Sequence, residues 1–191
     1  DIRPFHPLSA FTLYSKTGQQ GWLTASYAND KNKPSDIILQ QPEAEIDMPY
    51  INDSRLKLPK EFKADKGLVT WEGSLVSDFD GLHKLRLTYG GYIKIWLNGK
   101  LVLNRWRKAW NPAPALLELD MKKAVKVPVK IEWIPESQES YLSFKWQEPP
   151  GIEDRNTFSF SSEAGQQLDY YFIYGSNIDE VISGYRNLTG K

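Results

Sequence analysis

Apolar and polar positions alternate with a period of two in Ile93-Lys94-Ile95-Trp96-Leu97 and again in Val127-Pro128-Val129-Lys130-Ile131-Glu132-Trp133. Successive side chains of a strand point to opposite faces, so each run predicts a strand with one buried and one wet face. Shorter runs of the same kind fill most of the chain up to about residue 148. Phe11 to Ser15 and Trp22 to Tyr27 flank a turn region, Lys16-Thr17-Gly18-Gln19-Gln20-Gly21, and Ile37 to Gln41 is a β-branched run that ends before Pro42. Leu82 to Leu87, Tyr92 to Leu97 and Leu101 to Trp106 form the clearest unit. The last two are separated by Asn98-Gly99, the pair favoured in a two-residue type I′ hairpin because both central positions need positive φ. Val127 to Ile134 and Tyr141 to Trp146 follow, joined through Pro135-Glu136-Ser137-Gln138-Glu139-Ser140. Many short strands punctuated by Gly, Asn and Pro predict an all-β protein, an antiparallel β-sandwich of jelly-roll type.

The pattern changes at the end of the chain. A strand beginning at Asp169-Tyr170-Tyr171-Phe172 runs into a segment in which Ile178, Val181, Ile182, Tyr185 and Leu188 recur at helical spacing. Ser176 is placed to cap that helix, Asp179 follows three residues later, and Gly190 occupies the position of a C′ glycine. The helix has one apolar face and needs a partner, either its own domain or a further one.

Composition narrows the function classes. The 191 residues, 40% hydrophobic and 25% charged, suffice for one globular domain with a sizeable core, or for a domain with appendages. Twenty-four basic residues balance 24 acidic ones, so no net field favours nucleic acid or an anionic membrane. No apolar run approaches the ~20 residues of a membrane span. The chain has no cysteine, hence neither disulfides nor a thiolate metal site. It begins at Asp1 without an initiator Met or secretory signal, and both ends read as cut points, so any targeting segment is expected in sequence beyond it. Seven Trp, ten Tyr and eight Phe supply core for strands and flat faces for stacking on sugar rings.

A family resemblance rests on several of these pieces taken in order. Gly21-Trp22-Leu23-Thr24-Ala25-Ser26-Tyr27, Glu45-Ile46-Asp47-Met48, Val69-Thr70-Trp71-Glu72-Gly73, Ile95-Trp96-Leu97-Asn98-Gly99-Lys100-Leu101-Val102 with Trp106, and Phe144-Lys145-Trp146 resemble the protective-antigen-type domain. That domain is a β-sandwich inserted in toxins, adhesins and carbohydrate-active enzymes and often credited with glycan binding. Pro7-Leu8-Ser9-Ala10-Phe11-Thr12-Leu13-Tyr14-Ser15, Phe158-Ser159-Phe160-Ser161-Ser162-Glu163-Ala164-Gly165 and the final segment resemble glycoside hydrolase family 31 sequence on either side of such an insert. The resemblance divides the chain into residues 1–20, a flank from the N-terminal sandwich of a parent enzyme; residues 21–150, the insert; and residues 151–191, a linker, strand and helix leading to a catalytic (β/α)8 barrel. It implies a parent α-xylosidase or α-glucosidase, a polysaccharide or oligosaccharide partner of xyloglucan type, and contact with the barrel of the same polypeptide. A bacterial periplasmic, cell-surface or extracellular location is expected, although no residue here specifies it.

Retaining α-glycosidases need a nucleophile and a general acid/base carboxylate ~5 Å apart. In family 31 both are barrel aspartates, which the resemblance places after Lys191, so this chain alone is expected to be no enzyme and to hold no catalytic residue. Asp78-Phe79-Asp80-Gly81 reads as a strand-entry turn before Leu82 rather than a carboxylate pair or a calcium loop. Related adhesins hold calcium with adjacent aspartates at a turn that here reads Thr88-Tyr89-Gly90-Gly91, without a carboxylate. No metal and no cofactor are therefore expected. His6 and His83 are assigned structural or surface roles.

Ligand contact is sought first in Asn104-Arg105-Trp106-Arg107-Lys108-Ala109-Trp110-Asn111-Pro112, where indoles alternate with cationic donors. Trp106 matches the family's recurring Trp and is expected in the core. Trp110 matches no such position and stays open between stacking on a sugar and packing on the sandwich or barrel. Arg107 beside it, and Tyr89 and Tyr92 at the turn where the adhesins bind calcium, complete the candidate set. Asn52-Asp53-Ser54 and Asn187-Leu188-Thr189 read as chance glycosylation triplets. The alternative to glycan recognition is an insert that only shields the barrel or mediates dimerisation.

Overall fold

The computed structural model describes residues 3–49 and 58–150, together with the backbone of residues 158–161 and 167–170. The helix expected between Ser176 and Gly190 and both glycosylation triplets lie outside the described residues. The strands are β1 (His6–Pro7), β2 (Thr12–Ser15), β3 (Leu23–Ala28), β4 (Ile37–Glu43), β5 (Asp47–Met48), β6 (Leu68–Val76) and β7 (Gly81–Tyr89). They continue with β8 (Gly91–Leu97), β9 (Lys100–Arg107), β10 (Ala113–Met121), β11 (Val127–Ile134), β12 (Leu142–Gln147), β13 (Phe158–Ser161) and β14 (Gln167–Tyr170). Among the described residues the helical content is one 3-10 turn, Leu8–Ala10.

Two antiparallel sheets make a sandwich, as predicted. Sheet I runs β1-β12-β7-β10 with β5 also on β12, and sheet II runs β4-β3-β6-β11-β8-β9 with β2 also on β6; β13 and β14 pair with each other. The alternation in β8 and β11 buries Ile93, Ile95 and Leu97 against Val129, Ile131 and Trp133 and turns Tyr92, Lys94, Trp96, Lys130 and Glu132 outward. Asn98 (φ 51°) and Gly99 (φ 75°) both take the left-handed conformation that a type I′ turn requires. Lys16 to Gly21 does not join β2 and β3 as a hairpin but folds back on β2, with Tyr14 bridged to Gln20 and the Ser15 and Gly21 amides donating to the Gln19 and Leu13 carbonyls. β2 and β3 lie end to end along the same strand, Ser15 opposite Gly73 and Thr24 opposite Glu72, and the turn region loops out between them.

Between the sheets Trp71, Trp133, Tyr27, Phe144, Leu85, Leu87, Ile93 and their neighbours form one apolar cluster. Burying side chains of this size, at roughly 1.5–3 kcal/mol each, is the main favourable term in folding. One carboxylate at the margin of the cluster gathers three donors. Glu43 accepts from the Tyr27 hydroxyl (2.5 Å), Trp71 Nε1 (2.7 Å) and Gln41 Nε2 (2.7 Å). Burial and the facing Glu43 carboxylate push the Tyr27 hydroxyl far up, so it stays a protonated donor.

Both histidines are structural. His83 is fully buried; since the Gly81 carbonyl can only accept, Nδ1 carries the proton and donates to it at 2.9 Å, while Nε2 accepts from the Ser77 hydroxyl at 2.7 Å. Burial pulls its pKa down against the opposing pull of the Gly81 carbonyl, Glu148 and Asp120. His6 pairs with Glu148 at 2.8 Å and tilts against Trp146. The Asp78-Phe79-Asp80-Gly81 segment is the predicted strand-entry turn: the Phe79 amide donates to Ser77 Oγ, Asp80 accepts from the Lys123 amide, and Gly81 opens β7 at φ 119°.

Candidate functional site

Two glycines assemble one end of the sandwich. The chain leaves sheet I at Tyr89 and enters sheet II at Gly91, and the Gly90 amide donates to the Tyr141 carbonyl while its carbonyl accepts from Trp133 Nε1 (2.7 Å each). A Cβ on Gly90 would sit 2.4 Å from the Ala109 carbonyl oxygen, so the loop after β9 rests directly on this turn. Gly91, at φ +76°, would carry its Cβ 2.2 Å from the Ile134 oxygen, which brings the Pro135-Glu136 segment to the same place.

Around that end stand the exposed aromatic rings. Trp110 is 63% exposed in the loop, with the Lys108 ammonium 5.5 Å from its ring. Arg107 Nε donates to the Asn111 carbonyl (2.9 Å) and Asn111 N to the Lys108 carbonyl (3.0 Å), which closes the loop under Trp110. Tyr92 is half-buried on the outer face of β8, its hydroxyl donating to Asn104 Oδ1 at 2.6 Å.

Two expectations are corrected. Trp106 is not core: it is 53% exposed, lies opposite Tyr92 across the β8–β9 ladder, and donates from Nε1 to Glu136 Oε2 at 2.6 Å. The reason is strand parity, since β9 buries Leu103 and therefore turns Trp106, three positions on, to the other face. Tyr89 is core: only 4% exposed, it belongs to the inter-sheet cluster and offers no face to a ligand. The sequence reading thus missed Trp106 and also Trp96, which points outward in the next turn of the same alternation. Glu136 was missed as well; it holds φ 64°, a conformation non-glycine residues seldom take, in the turn from which its carboxylate reaches Trp106.

Chemically the arrangement can offer a face for stacking. An indole whose edge is held by a carboxylate keeps both its orientation and a free apolar face, while Arg107, Lys108 and Asn111 supply donors for hydroxyl groups. Among the described residues no three His, Cys, Asp or Glu side chains come together as a metal cluster. No helix among the described residues is long and apolar enough to cross a membrane.

A two-sheet antiparallel sandwich with this strand arrangement is shared by a known class, and the chain belongs to it: the PA14 domain model matches residues 18–159. A solved GH31 alpha-xylosidase from Xanthomonas citri superposes with a TM-score of 0.69 at 34% identity, over 80% of this chain and 16% of its own. A curated alpha-xylosidase of Saccharolobus solfataricus is 58% identical over 36 residues, 19% of this chain and 5% of its own length. This chain therefore spans a small part of either relative. An epithelial adhesin A domain from Candida glabrata, solved in complex with beta-lactose, shares the fold at 11% identity and a TM-score of 0.54, over 68% of this chain and 81% of its own.

Proposed function

We propose that this chain is a non-catalytic part of a glycoside hydrolase family 31 α-glycosidase, cleaving α-xylosidic or α-glucosidic bonds, and that its sandwich holds a polysaccharide of xyloglucan type beside the catalytic barrel. The observation that carries this reading is the exposed Trp106 indole, fixed at its edge by Glu136 and set beside Tyr92, with Trp110 exposed in the adjoining loop. The family membership, the likeness to the Xanthomonas citri enzyme and the beta-lactose complex of the adhesin fold support it. One or two stacked sugars with few pre-organised donors give an affinity on the order of millimolar, about 4 kcal/mol. Tethering makes such weak binding useful, because it raises the concentration of substrate at the barrel.

A second role has its own observation. The outer face of sheet I exposes Leu82 and Leu116 and carries a shallow groove of about 400 Å³ lined by Phe5, Lys84, Arg86, Pro114 and Leu116. An apolar surface of that kind suits packing against another domain, here the barrel of the same polypeptide. Shielding or orienting the barrel is then compatible with glycan binding on the opposite sheet. Ligand-observed NMR with xyloglucan oligosaccharides, run beside an aryl α-xyloside assay, tests the proposal: binding without turnover is expected, and turnover by highly purified chain would overturn it.

A further inference from the structure

The outer face of sheet II has a second concavity, away from the Trp106 end. It is a groove of about 560 Å³ lined by Ser15, Lys16, Glu72, Gly73, Ser74, Trp96, Gly99 and Pro128 to Lys130. Gly73 lines it at the junction of β2 and β3, where a Cβ would meet the Tyr14 carbonyl oxygen at 2.0 Å and the buried Leu23 side chain at 2.8 Å, so only glycine lets the strands pack this closely beside the groove. One cross-strand row crosses it: Trp96 on β8 lies beside Lys130 on β11, Lys130 beside Glu72 on β6, and Glu72 beside Thr24 on β3.

The charges in this groove are compensated in pairs. Lys16 Nζ meets Glu72 Oε2 at 2.7 Å, and Lys130 Nζ meets Glu132 Oε1 at 2.7 Å while resting 5.0 Å from the Trp96 ring centroid. A site with matched charges attracts neither an anion nor a cation, but it offers acceptors, donors and hydroxyls beside an indole. Those are the groups that a neutral polyhydroxylated ring uses. Exposed ion pairs of this type are worth ~0–1 kcal/mol, so a hydroxyl group displaces one partner at little cost.

We infer that this groove is a second subsite for a neutral sugar ring, stacked on Trp96 and hydrogen-bonded to Glu72 and Lys16, and that the outer face of sheet II is a track for an extended glycan chain. Tyr92 and Trp96 lie on the same face four residues apart along β8, about 13 Å at the rise of a strand. One chain therefore spans the Trp106 end and the groove together. This inference rests on the glycan reading of the Trp106 end, and the experiment is chosen to separate the two.

The test is a titration of the chain by two-dimensional NMR and calorimetry with a single-repeat xyloglucan oligosaccharide and its two-repeat homologue. The expected result is that the two-repeat ligand binds at least about tenfold more tightly, since its second contact is intramolecular, and shifts the Trp96 indole signal with the Gly73 and Gly99 amides. Trp96→Ala abolishes that gain and leaves single-repeat binding intact. Glu72→Gln, which keeps side-chain shape, lowers two-repeat affinity by about fivefold through the lost charge-assisted hydrogen bond. If both ligands bind equally, or if only the Trp106 and Trp110 signals move, the second subsite is wrong and the first stands. If neither ligand binds wild type, both readings fall.

Discussion

Trp106 Nε1 donates to Glu136 Oε2 at 2.6 Å, a bond between a strand at the edge of sheet II and the turn that follows its neighbour's neighbour, β11. The bond does little for the core, because both residues lie at the surface. It fixes the azimuth of an exposed indole. Glu136→Ala is therefore expected to leave the melting temperature within about 2 °C, the range of a surface change worth at most ~0.5 kcal/mol, while weakening oligosaccharide binding several-fold. A calorimetric titration paired with thermal melts reads both; a large fall in melting temperature would make the bond structural instead.

The loop that carries Trp110 depends on contact with Gly90. Gly90→Ala places a methyl group 2.4 Å from the Ala109 carbonyl oxygen, and relieving that clash moves either the loop or the turn. The expected cost is about 1–3 kcal/mol of stability, with shifted amide signals concentrated at residues 108 to 112. Urea unfolding and a two-dimensional spectrum check this, and unchanged loop signals would contradict it.

The strands on either side of Asn98-Gly99 were legible because turn chemistry and alternation agree there. β10 was not. Ala113-Pro114-Ala115-Leu116-Leu117-Glu118-Leu119-Asp120-Met121 is rich in good helix formers, and what holds it as a strand is pairing with β7 along its whole length, a long-range contact that no local pattern announces. Pro114 is tolerated because β10 is an edge strand. β6 is legible in the sequence only as a family motif, since Gly73 interrupts its pattern; that glycine is where β2 gives way to β3 as its neighbour.

At the site, elimination points to Trp110, whereas for Trp106 both the family position and the parity counted from the Asn98-Gly99 turn point to the core. The register of a two-residue Asn98-Gly99 hairpin alone puts Trp106 on the inward face; a bulge, with Leu101 opposite Trp96 but Leu103 opposite Ile95, shifts β9 by one residue and turns Trp106 outward. Tyr92 and Trp96 face outward once Ile93, Ile95 and Leu97 face inward, so for those two the signal was present. Glu136 had no such signal. Its contact with Trp106 joins positions 30 apart through a turn whose geometry the residue types alone do not specify.

His83 makes stability depend on pH. Its folded pKa lies below the ordinary ~6.5, so between the two values the unfolded chain binds more protons and stability rises with pH. Stability is fully present above about pH 6.5 and falls as acid protonates the unfolded state. Nearby Glu148 and Asp120 oppose the shift without cancelling it. His83→Gln is expected to cost about 1–3 kcal/mol at pH 7.5 by disturbing the Ser77 and Gly81 partners, and to flatten the slope of melting temperature between pH 7.5 and 5.5 (a window chosen about the histidine pKa). An equal slope in both proteins would assign the acid sensitivity elsewhere.

The most direct test of the account is calorimetric titration of wild type, Trp106→Ala and Trp110→Ala with a xyloglucan oligosaccharide. Wild type is predicted to bind with a dissociation constant on the order of millimolar, and each variant to lose at least about tenfold of that affinity, roughly 1.4 kcal/mol, while melting at the wild-type temperature. Absence of wild-type binding at concentrations well above that dissociation constant, or variants that bind as wild type does, would contradict the claim that this face of the sandwich recognises a glycan.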